Sequence, residues 1–450
     1  MNAREIALRI INEIQENAAY ANVALSRMLT KYELSDQDRR FITELVYGTT
    51  KLDGTLAWMV SRYTSRPLKK IAPVLQNILK LGFYQLFFMD KIPASAACNQ
   101  SVELAKKYGH SGTVKFVNAV LRSATRNPEK ADFANIANDR ALYLSLKYYH
   151  PLWLIKRWLK QFGEVATIEL CDFNNRNVNL SLRTNTLKIS RNELMRVLTN
   201  EGAVCSESPW TPEGIVCSSH QGMQSLVSLK DGLCQVQDES SMLVAHILGA
   251  KPGEFIIDTC SAPGGKTTHI AALMQNSGKI LATDIYEHKL ARIQENAQRL
   301  GIDIIETKLL DATEIGSLYP KQADRVLVDA PCSGLGVLRR RSDARWRKTP
   351  DMLDELPKLQ LAILRSAAAA VKPGGTLVYS TCTITDEENV AVINEFLESA
   401  PEFSIEATRT FLPNNNQENP SIKADMIQLL PQHDNVDGFF IARLRNKGIN

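Results

Sequence analysis

Apolar residues recur at helical spacing through the first third of the chain: Ile6, Ile10 and Ile14, then Phe41, Leu45 and Gly48, then Leu75, Ile78, Leu79 and Gly82. That period predicts amphipathic helices. Ser35-Asp36 ahead of Phe41, and Pro73 and Pro93 near first-turn positions, mark helix starts. Asn127-Pro128-Glu129-Lys130 ends the last strong helix, so residues 1–140 read as one all-helical domain of ordinary size. From His150-Pro151 to about Gly232 the pattern is mixed, with a helix near Leu152 to Phe162, an alternating stretch from Val178 to Thr184 and a helix from Arg191. Residues 141–235 therefore read as a linker helix and a small α+β connector.

From Glu254 onward strands alternate with helices. Phe255 to Thr259, Lys279 to Asp284, Ile304 to Lys308, Arg325 to Asp329 and Thr376 to Ser380 are the expected strands, and Gly438 to Leu444 is a plausible closing one. Such alternation predicts a Rossmann-like α/β domain over residues 236–450, with a doubly wound parallel sheet. Ligands of such sheets bind beyond the carboxyl ends of the strands, near the switch in strand order. The run Asn414 to Asn419 reads as a surface loop.

Charge sharpens the division. The net charge is +4, but residues 1–140 carry 20 Lys and Arg against 13 Asp and Glu, which leaves the remainder slightly acidic. A basic helical module beside a near-neutral one points to a polyanion-binding appendage, against the plainer reading of a solvated, lysine-rich surface. No two of the 8 cysteines have the spacing of a zinc ribbon or a redox Cys-x-x-Cys pair, so no metal is expected. Charges interrupt every apolar stretch of the N-terminus, and no segment reaches membrane-span length. A cytoplasmic chain with reduced cysteines and no membrane partner is the resulting expectation.

The first candidate for chemistry is Asp258-Thr-Cys-Ser-Ala-Pro-Gly-Gly-Lys266, a glycine turn between a strand and a helix. Its Gly265-Lys266-Thr267 invites comparison with a phosphate-binding P-loop, and Arg325 to Asp329 with a magnesium-binding strand end. An RNA-dependent NTPase is therefore the rival reading, but Cys260 stands where the P-loop needs its first glycine, which argues against it. Asp284 ends the next strand, about twenty residues on, where a carboxylate holds ribose hydroxyls. Asp311 follows the third strand, where it can accept from an adenine amine. Each acid alone reads as a cap or turn residue; together, at successive strand ends, they favour a ribose-bearing cofactor.

The second candidate is a pair of cysteines. Cys332 lies in Asp329-Ala-Pro-Cys-Ser333 and Cys382 in Ser380-Thr-Cys-Thr383, each closing an apolar run. If the two strands are neighbours, the thiols meet over the cofactor with room for a pyrimidine. Addition of a thiolate to ring carbon 6 of cytosine makes carbon 5 nucleophilic toward a methyl donor, and a base must later remove the carbon 5 proton. Asp329 is placed to hold ring nitrogen 3. The plainer reading, buried structural cysteines, is kept for Cys98, Cys171, Cys205, Cys217 and Cys234.

These residues resemble RNA 5-methylcytosine methyltransferases that use S-adenosylmethionine. The likeness rests on Asp258-x-Cys-x-Ala-Pro-Gly-Gly-Lys-Thr267, Asp284, Asp311, Asp329-Ala-Pro-Cys-Ser-Gly334 and Thr381-Cys382, within residues 230–445. The helical first third is similar to the antitermination factor NusB, an arrangement of the bacterial branch that acts on 16S ribosomal RNA. The resemblance implies Cys382 as nucleophile, Cys332 as the residue assisting proton removal and release, and Asp329 as the ring-nitrogen partner. It implies that Cys260, Ser261, Ala262, Pro263, Gly264, Gly265 and Lys266 cradle S-adenosylmethionine, with Asp284 on the ribose and Asp311 near the adenine. Asp329 also borders the cofactor, and Lys266 orients Asp329 or lowers a thiol pKa. Ser261 stands where the family usually has alanine, and Ser342 where a proline often follows the arginine run.

Leu338 to Lys348 carries six cationic residues and one aromatic. Arg339, Arg340, Arg341, Arg345 and Trp346 are therefore expected to contact RNA phosphates and bases. Another RNA, such as tRNA, and a non-enzymatic RNA-binding role for the basic third are the remaining alternatives. A monomer is expected.

Overall fold

The structure, a computed structural model, describes residues 2–16, 20–220, 222, 226–341, 343–413, 422 and 425–448; the run 414–419 and Ser342 lie outside the described residues. It divides into two compact units, Met1–Arg176 with Leu338–Lys348, and Asn177–Val337 with Thr349–Asn450.

The first unit is built from helices α1 (Ala3–Glu16), α2 (Ala21–Lys31), α3 (Asp36–Lys51), α4 (Asp53–Ser61), α5 (Pro73–Phe88), α6 (Ala94–Tyr108), α7 (Ser111–Arg126), α8 (Arg140–Lys147) and α9 (Leu152–Asn175). Ile6, Ile10, Ile14, Leu45, Ile78 and Leu79 form its buried core, as their period requires. Each such side chain contributes about 1.5–3 kcal/mol by leaving water. The start signals act as expected: the Ser35 side chain accepts from the Asp38 N–H, and Pro73 opens α5. α7 stops at Arg126, before the Asn127-Pro128 step.

The unit's limits differ from residues 1–140. α9 packs on α8 and runs to Asn175, interrupted only at Gly163, which adopts φ 79°. The distant segment Leu338–Lys348 also belongs here, and Arg345 within it is not free for the RNA contact expected of it. Arg345 is fully buried, and its guanidinium donates to the carbonyls of Tyr149 and Asn174 and to Asn175 Oδ1 at 2.9, 3.0 and 3.0 Å. Helix-end carbonyls need donors, and a delocalised, weakly hydrated guanidinium supplies several at once. The Trp346 indole donates to the Lys51 carbonyl at 2.9 Å, and its ring lies so close to Gly54 that a Cβ there would fall 2.2 Å from it. Arg345 is thus committed to the fold, and the half-buried Trp346 is anchored through its indole N–H. Arg339 lies over the Phe173 ring at 4.3 Å, Arg340 is half-buried, and Arg341 is exposed beside Tyr20.

The second unit carries two sheets. Strands β1 (Leu180–Thr184), β2 (Val204–Glu207), β3 (Gly214–Ser219) and β4 (Cys234–Val236) form an antiparallel sheet in the order β2-β3-β1-β4. Cys205 and Cys217 are register partners in β2 and β3 and are joined by a disulfide, so the expectation of reduced cysteines does not hold for this pair. Cys98, Cys171 and Cys234 are buried thiols.

The larger sheet comprises β5 (Phe255–Asp258), β6 (Lys279–Asp284), β7 (Ile305–Leu309), β8 (Ala323–Asp329), β9 (Val371–Thr381), β10 (Phe403–Ile405), β11 (Met426–Leu429) and β12 (Phe439–Asn446). Its order is β10-β12-β9-β8-β5-β6-β7, with β11 on β12. β5 to β9 pair in parallel and the others join antiparallel. From β5 the chain runs outward through β6 and β7, then returns to β8 on the other side. That reversal opens a crevice at the carboxyl ends of β5 and β8.

Replacing Arg345 with alanine leaves buried carbonyls without donors and is expected to cost about 3 kcal/mol in urea unfolding, whereas Arg341→Ala has little effect. Equal effects of the two would contradict the structural role of Arg345.

Candidate active site

The crevice is floored by short, interlocked hydrogen bonds. After β5 the chain turns through Thr259 to Gly264, and the helix Gly265–Leu273 follows. The Ser261 N–H donates to the Thr283 carbonyl at 2.9 Å, and its hydroxyl to the Asp258 carbonyl at 2.7 Å. The hydroxyl at this position is therefore satisfied by backbone, tying the loop to the ends of β5 and β6. Gly264 has φ 94°, and a Cβ on it would stand 3.2 Å from the Ile293 backbone, so glycine is required twice over. Asn296 donates to the Pro263 carbonyl at 2.9 Å and fixes the far side of the loop. Ala262 packs beside Ile293. The Cys260 thiol is pushed up to about 12 by burial and is not a nucleophile at neutral pH.

The acids stand at successive strand ends. Asp284 closes β6, largely buried, with Oδ1 accepting from the Tyr286 N–H at 3.0 Å. Asp311, after β7, is exposed and caps the next turn through Thr313 N at 2.9 Å. Beneath them Asp258 is fully buried; Oδ2 accepts from Thr267 Oγ1 at 2.7 Å and Oδ1 has no protein partner. Burial pushes its carboxyl up to about 7. A turn of small residues ending in two glycines, a strand-end carboxylate and a buried carboxylate oxygen without a protein partner fit a ligand carrying hydroxyl and amine donors. They fit a triphosphate less well, because the Gly264 N–H is spent on the Ser261 carbonyl and Lys266 points elsewhere.

Lys266 Nζ lies 2.7 Å from Asp329 Oδ2, and Ser380 Oγ donates to Asp329 Oδ1 at 2.8 Å. Burial pulls the Lys266 ammonium down, but the Asp329 carboxylate more than offsets this and leaves it above the usual lysine value. The pairing of Asp329 with Ser380 is dictated by the β8–β9 register, in which the two are partners. Three residues beyond Asp329 and two beyond Ser380, the partly exposed Cys332 and Cys382 bring their sulfurs to 3.3 Å. The hydrogen bond with Cys382, burial and the Glu388 charge raise the Cys332 thiol well above its ordinary value. The loop after Cys332 is pinned to the strand end by the Gly336 N–H, which donates to the Cys382 carbonyl at 3.0 Å. A Cβ on Gly336 would meet the Gly438 carbonyl oxygen at 2.1 Å.

Some of this network has no signature in the motifs. Arg183 of β1 is fully buried and donates to the Gly265 carbonyl at 2.6 Å and to Thr268 Oγ1 at 3.0 Å, bracing the start of the cofactor-loop helix. An arginine inside an alternating apolar strand is the signal that could have found it. Ser380 and Glu388 belong to the same class. A separate cluster joins Glu213, His246 and His269. Glu213 Oε1 lies 3.0 Å from His246 Nε2 and 2.9 Å from His269 Nε2. Such contacts are tighter than the ~3.3 Å between neighbouring ligands of tetrahedral zinc, so the trio reads as a carboxylate bridging two imidazoles. Burial pushes His269 down to about 4.

Comparison with known proteins now bears on this geometry. The family model described as 16S rRNA methyltransferase RsmB/F matches residues 245–445, the NusB family residues 1–126, and an RsmF/B-like ferredoxin-like domain residues 150–224. A Bacillus subtilis protein named probable ribosomal RNA small subunit methyltransferase B is 38% identical over 455 residues, covering 99% of each chain. The chain belongs to the RsmB/F methyltransferase family. A Synechocystis relative of the same name is 40% identical over 447 residues, covering 99% of each chain. Among solved structures, that of PH0851 has a TM-score of 0.82 at 26% identity, covering 99% of each chain. A methyltransferase homologue from Pyrococcus horikoshii has a TM-score of 0.58 at 30% identity, covering 68% of this chain and 99% of that one. The fold is that of an S-adenosylmethionine-dependent, Rossmann-like methyltransferase joined to a NusB-like helical domain and a small α+β subdomain, and S-adenosylmethionine is the family's cofactor.

Asp258 links this site to stability. Folding raises its pKa to about 7, so the folded state holds a proton that the unfolded state has released, and stability falls as pH rises from the ordinary carboxyl range through about 7. Asp258→Asn cannot ionise. Its melting temperature relative to the wild type is therefore expected to rise between about pH 5 and about pH 8. A difference that stays constant in thermal denaturation across that range would contradict the assignment.

Proposed function

We propose that this enzyme methylates carbon 5 of a cytosine in small-subunit (16S) ribosomal RNA through a covalent cysteine–cytosine intermediate. The observation that carries the covalent step is the 3.3 Å approach of the Cys332 and Cys382 sulfurs beside the Lys266–Asp329 pair. The substrate assignment follows the relatives named ribosomal RNA small subunit methyltransferase B.

Two thiols this close do not ionise independently, because a second negative charge beside the first is disfavoured. The first proton lost leaves one thiolate accepting from the other thiol. With Cys382 as the thiolate, its sulfur adds to ring carbon 6 while Cys332 keeps its proton. As charge builds on ring nitrogen 3, that atom takes up a proton passed from the Lys266 ammonium through Asp329, and the new N–H donates to Asp329; the proton returns by the same route once carbon 5 carries the methyl group. Ser380 holds that carboxylate in place, and its remaining lone pairs accept. Bound S-adenosylmethionine supplies the methyl group that carbon 5 accepts. The loop from Cys260 to Lys266, Asp284 and Asp311 would hold it.

Bonding of Cys382 to carbon removes the charge that raised Cys332. The Cys332 thiol then ionises more readily and can take the carbon 5 proton, after which the bond from sulfur to carbon 6 breaks and Cys382 leaves as the thiolate. The basic NusB-like unit serves as the RNA-docking module, with Arg341 as its exposed cation in the returning segment. The enzyme works in the cytoplasm as a monomer, without a metal.

Cys382→Ala is expected to abolish methyl transfer to naked 16S ribosomal RNA, whereas Cys332→Ala accumulates a protein–RNA adduct. On a denaturing gel the Cys332→Ala protein with cofactor and RNA should give a retarded band that disappears in the Cys332→Ala, Cys382→Ala double mutant. Methyl transfer by the wild type with no such band would overturn the cysteine roles.

A further inference from the structure

Beneath the two thiols lies a carboxylate that the steps above do not use. Glu388 stands just before the helix Val390–Ser399 and is fully buried. Its Oε2 accepts from the Ser333 N–H at 2.7 Å and from Gln360 Nε2 at 3.0 Å. Its Oε1 accepts from Ser333 Oγ at 2.5 Å and Thr385 Oγ1 at 2.8 Å. Its side chain accepts from all of these groups, the behaviour of an ionised carboxylate, which is acceptor-only. Gln360 makes a second bond to the Pro331 carbonyl at 2.9 Å. Both neighbours of Cys332 in sequence are therefore held, Ser333 by Glu388 and Pro331 by the glutamine that Glu388 orients. The donors come from the loop after β8, the helix Met352–Ala370 and the turn after Cys382, so one carboxylate ties together the segments that carry the two sulfurs.

The charges around the pair are unequal. Cys332 is faced by Cys382, by Glu388 and by the buried Tyr379 phenol, whose hydroxyl donates to the Glu388 backbone carbonyl at 2.7 Å. Cys382 interacts with the Lys266 ammonium, itself paired with Asp329. An anion beside one sulfur and a cation beside the other bias where the remaining proton of the pair sits.

We propose that Glu388 is a positioning residue: it clamps the Pro331–Ser333 turn against the Cys382 strand end, and its charge keeps the shared proton on Cys332, leaving Cys382 as the thiolate. The inference rests on the cysteine roles proposed above and names the group that assigns them.

Thiol alkylation tests it without needing RNA. Full-length wild type and Glu388→Gln are treated with iodoacetamide over a pH series, and the peptides containing Cys332 and Cys382 are quantified by mass spectrometry. In the wild type Cys382 should react first, at lower pH than Cys332. Glu388→Gln keeps the shape but loses the charge. The Cys332 profile should then move to lower pH and the preference for Cys382 shrink at least several-fold, with kcat for methyl transfer falling and KM for RNA unchanged. An unmoved Cys332 profile in a folded Glu388→Gln protein would overturn the proposal. So would wild-type Cys332 reacting ahead of Cys382, a result that needs no variant to fold. Failure of the wild type to methylate 16S ribosomal RNA would instead sink the substrate assignment while leaving the alkylation order to be read.

Discussion

The parallel pairing of β8 with β9, in the register that sets Asp329 beside Ser380, is the constraint on which the catalytic centre depends. Side chains alternate along a strand, so a slip of one residue would turn Asp329 away from Ser380 and carry Cys382 out of reach of Cys332. The register is held by the buried apolar runs Val326 to Val328 and Leu377 to Tyr379, which occupy the middle of the sheet. The geometry of the proposed centre thus rests on core packing. The sulfurs meet because the paired strands behind them carry both loops to the same end of the sheet.

Around that pairing three carboxyl groups meet different surroundings. Asp329 stays partly accessible and is compensated by Lys266; Asp258 is fully buried, where burial favours its protonated form; Glu388 is equally buried but surrounded by donors. What each meets is fixed by how many donors reach it and how much water it keeps.

Much of this was legible in the sequence, for reasons that differ by residue. Helical period and strand–helix alternation are local properties, so the helices through Arg126 and the strands of the parallel sheet follow from the apolar pattern. The Gly264 turn and the two cysteines stand out because each breaks the composition of the run that precedes it. Glu388 was not legible, since a buried charge looks like a surface charge until partners from distant segments are brought to it, and Arg183 announced itself only as an arginine inside an alternating apolar strand. The same limit touches one residue of Leu338–Lys348: a cationic run suggests phosphate contacts, but Arg345 within it is committed to carbonyls 171 and 196 residues earlier in the chain. The family matches fall on either side of residue 140, while α9 joins the first compact unit through tertiary packing that no period announces.

The return of Leu338–Lys348 to the first unit also bears on how the protein is made. Tyr149, Asn174 and Asn175 leave the ribosome long before Arg345, and their oxygens wait for a guanidinium that lies 196, 171 and 170 residues further along the chain. During synthesis the helical unit can gather its core, but its last polar seam closes only after strands β5 to β8 have also emerged. Completion of the amino-terminal module therefore depends on translation having passed strand β8 of the catalytic module. A protein cut off before Arg345 would lack the donor for those carbonyls, whereas one cut off after Lys348 would keep it.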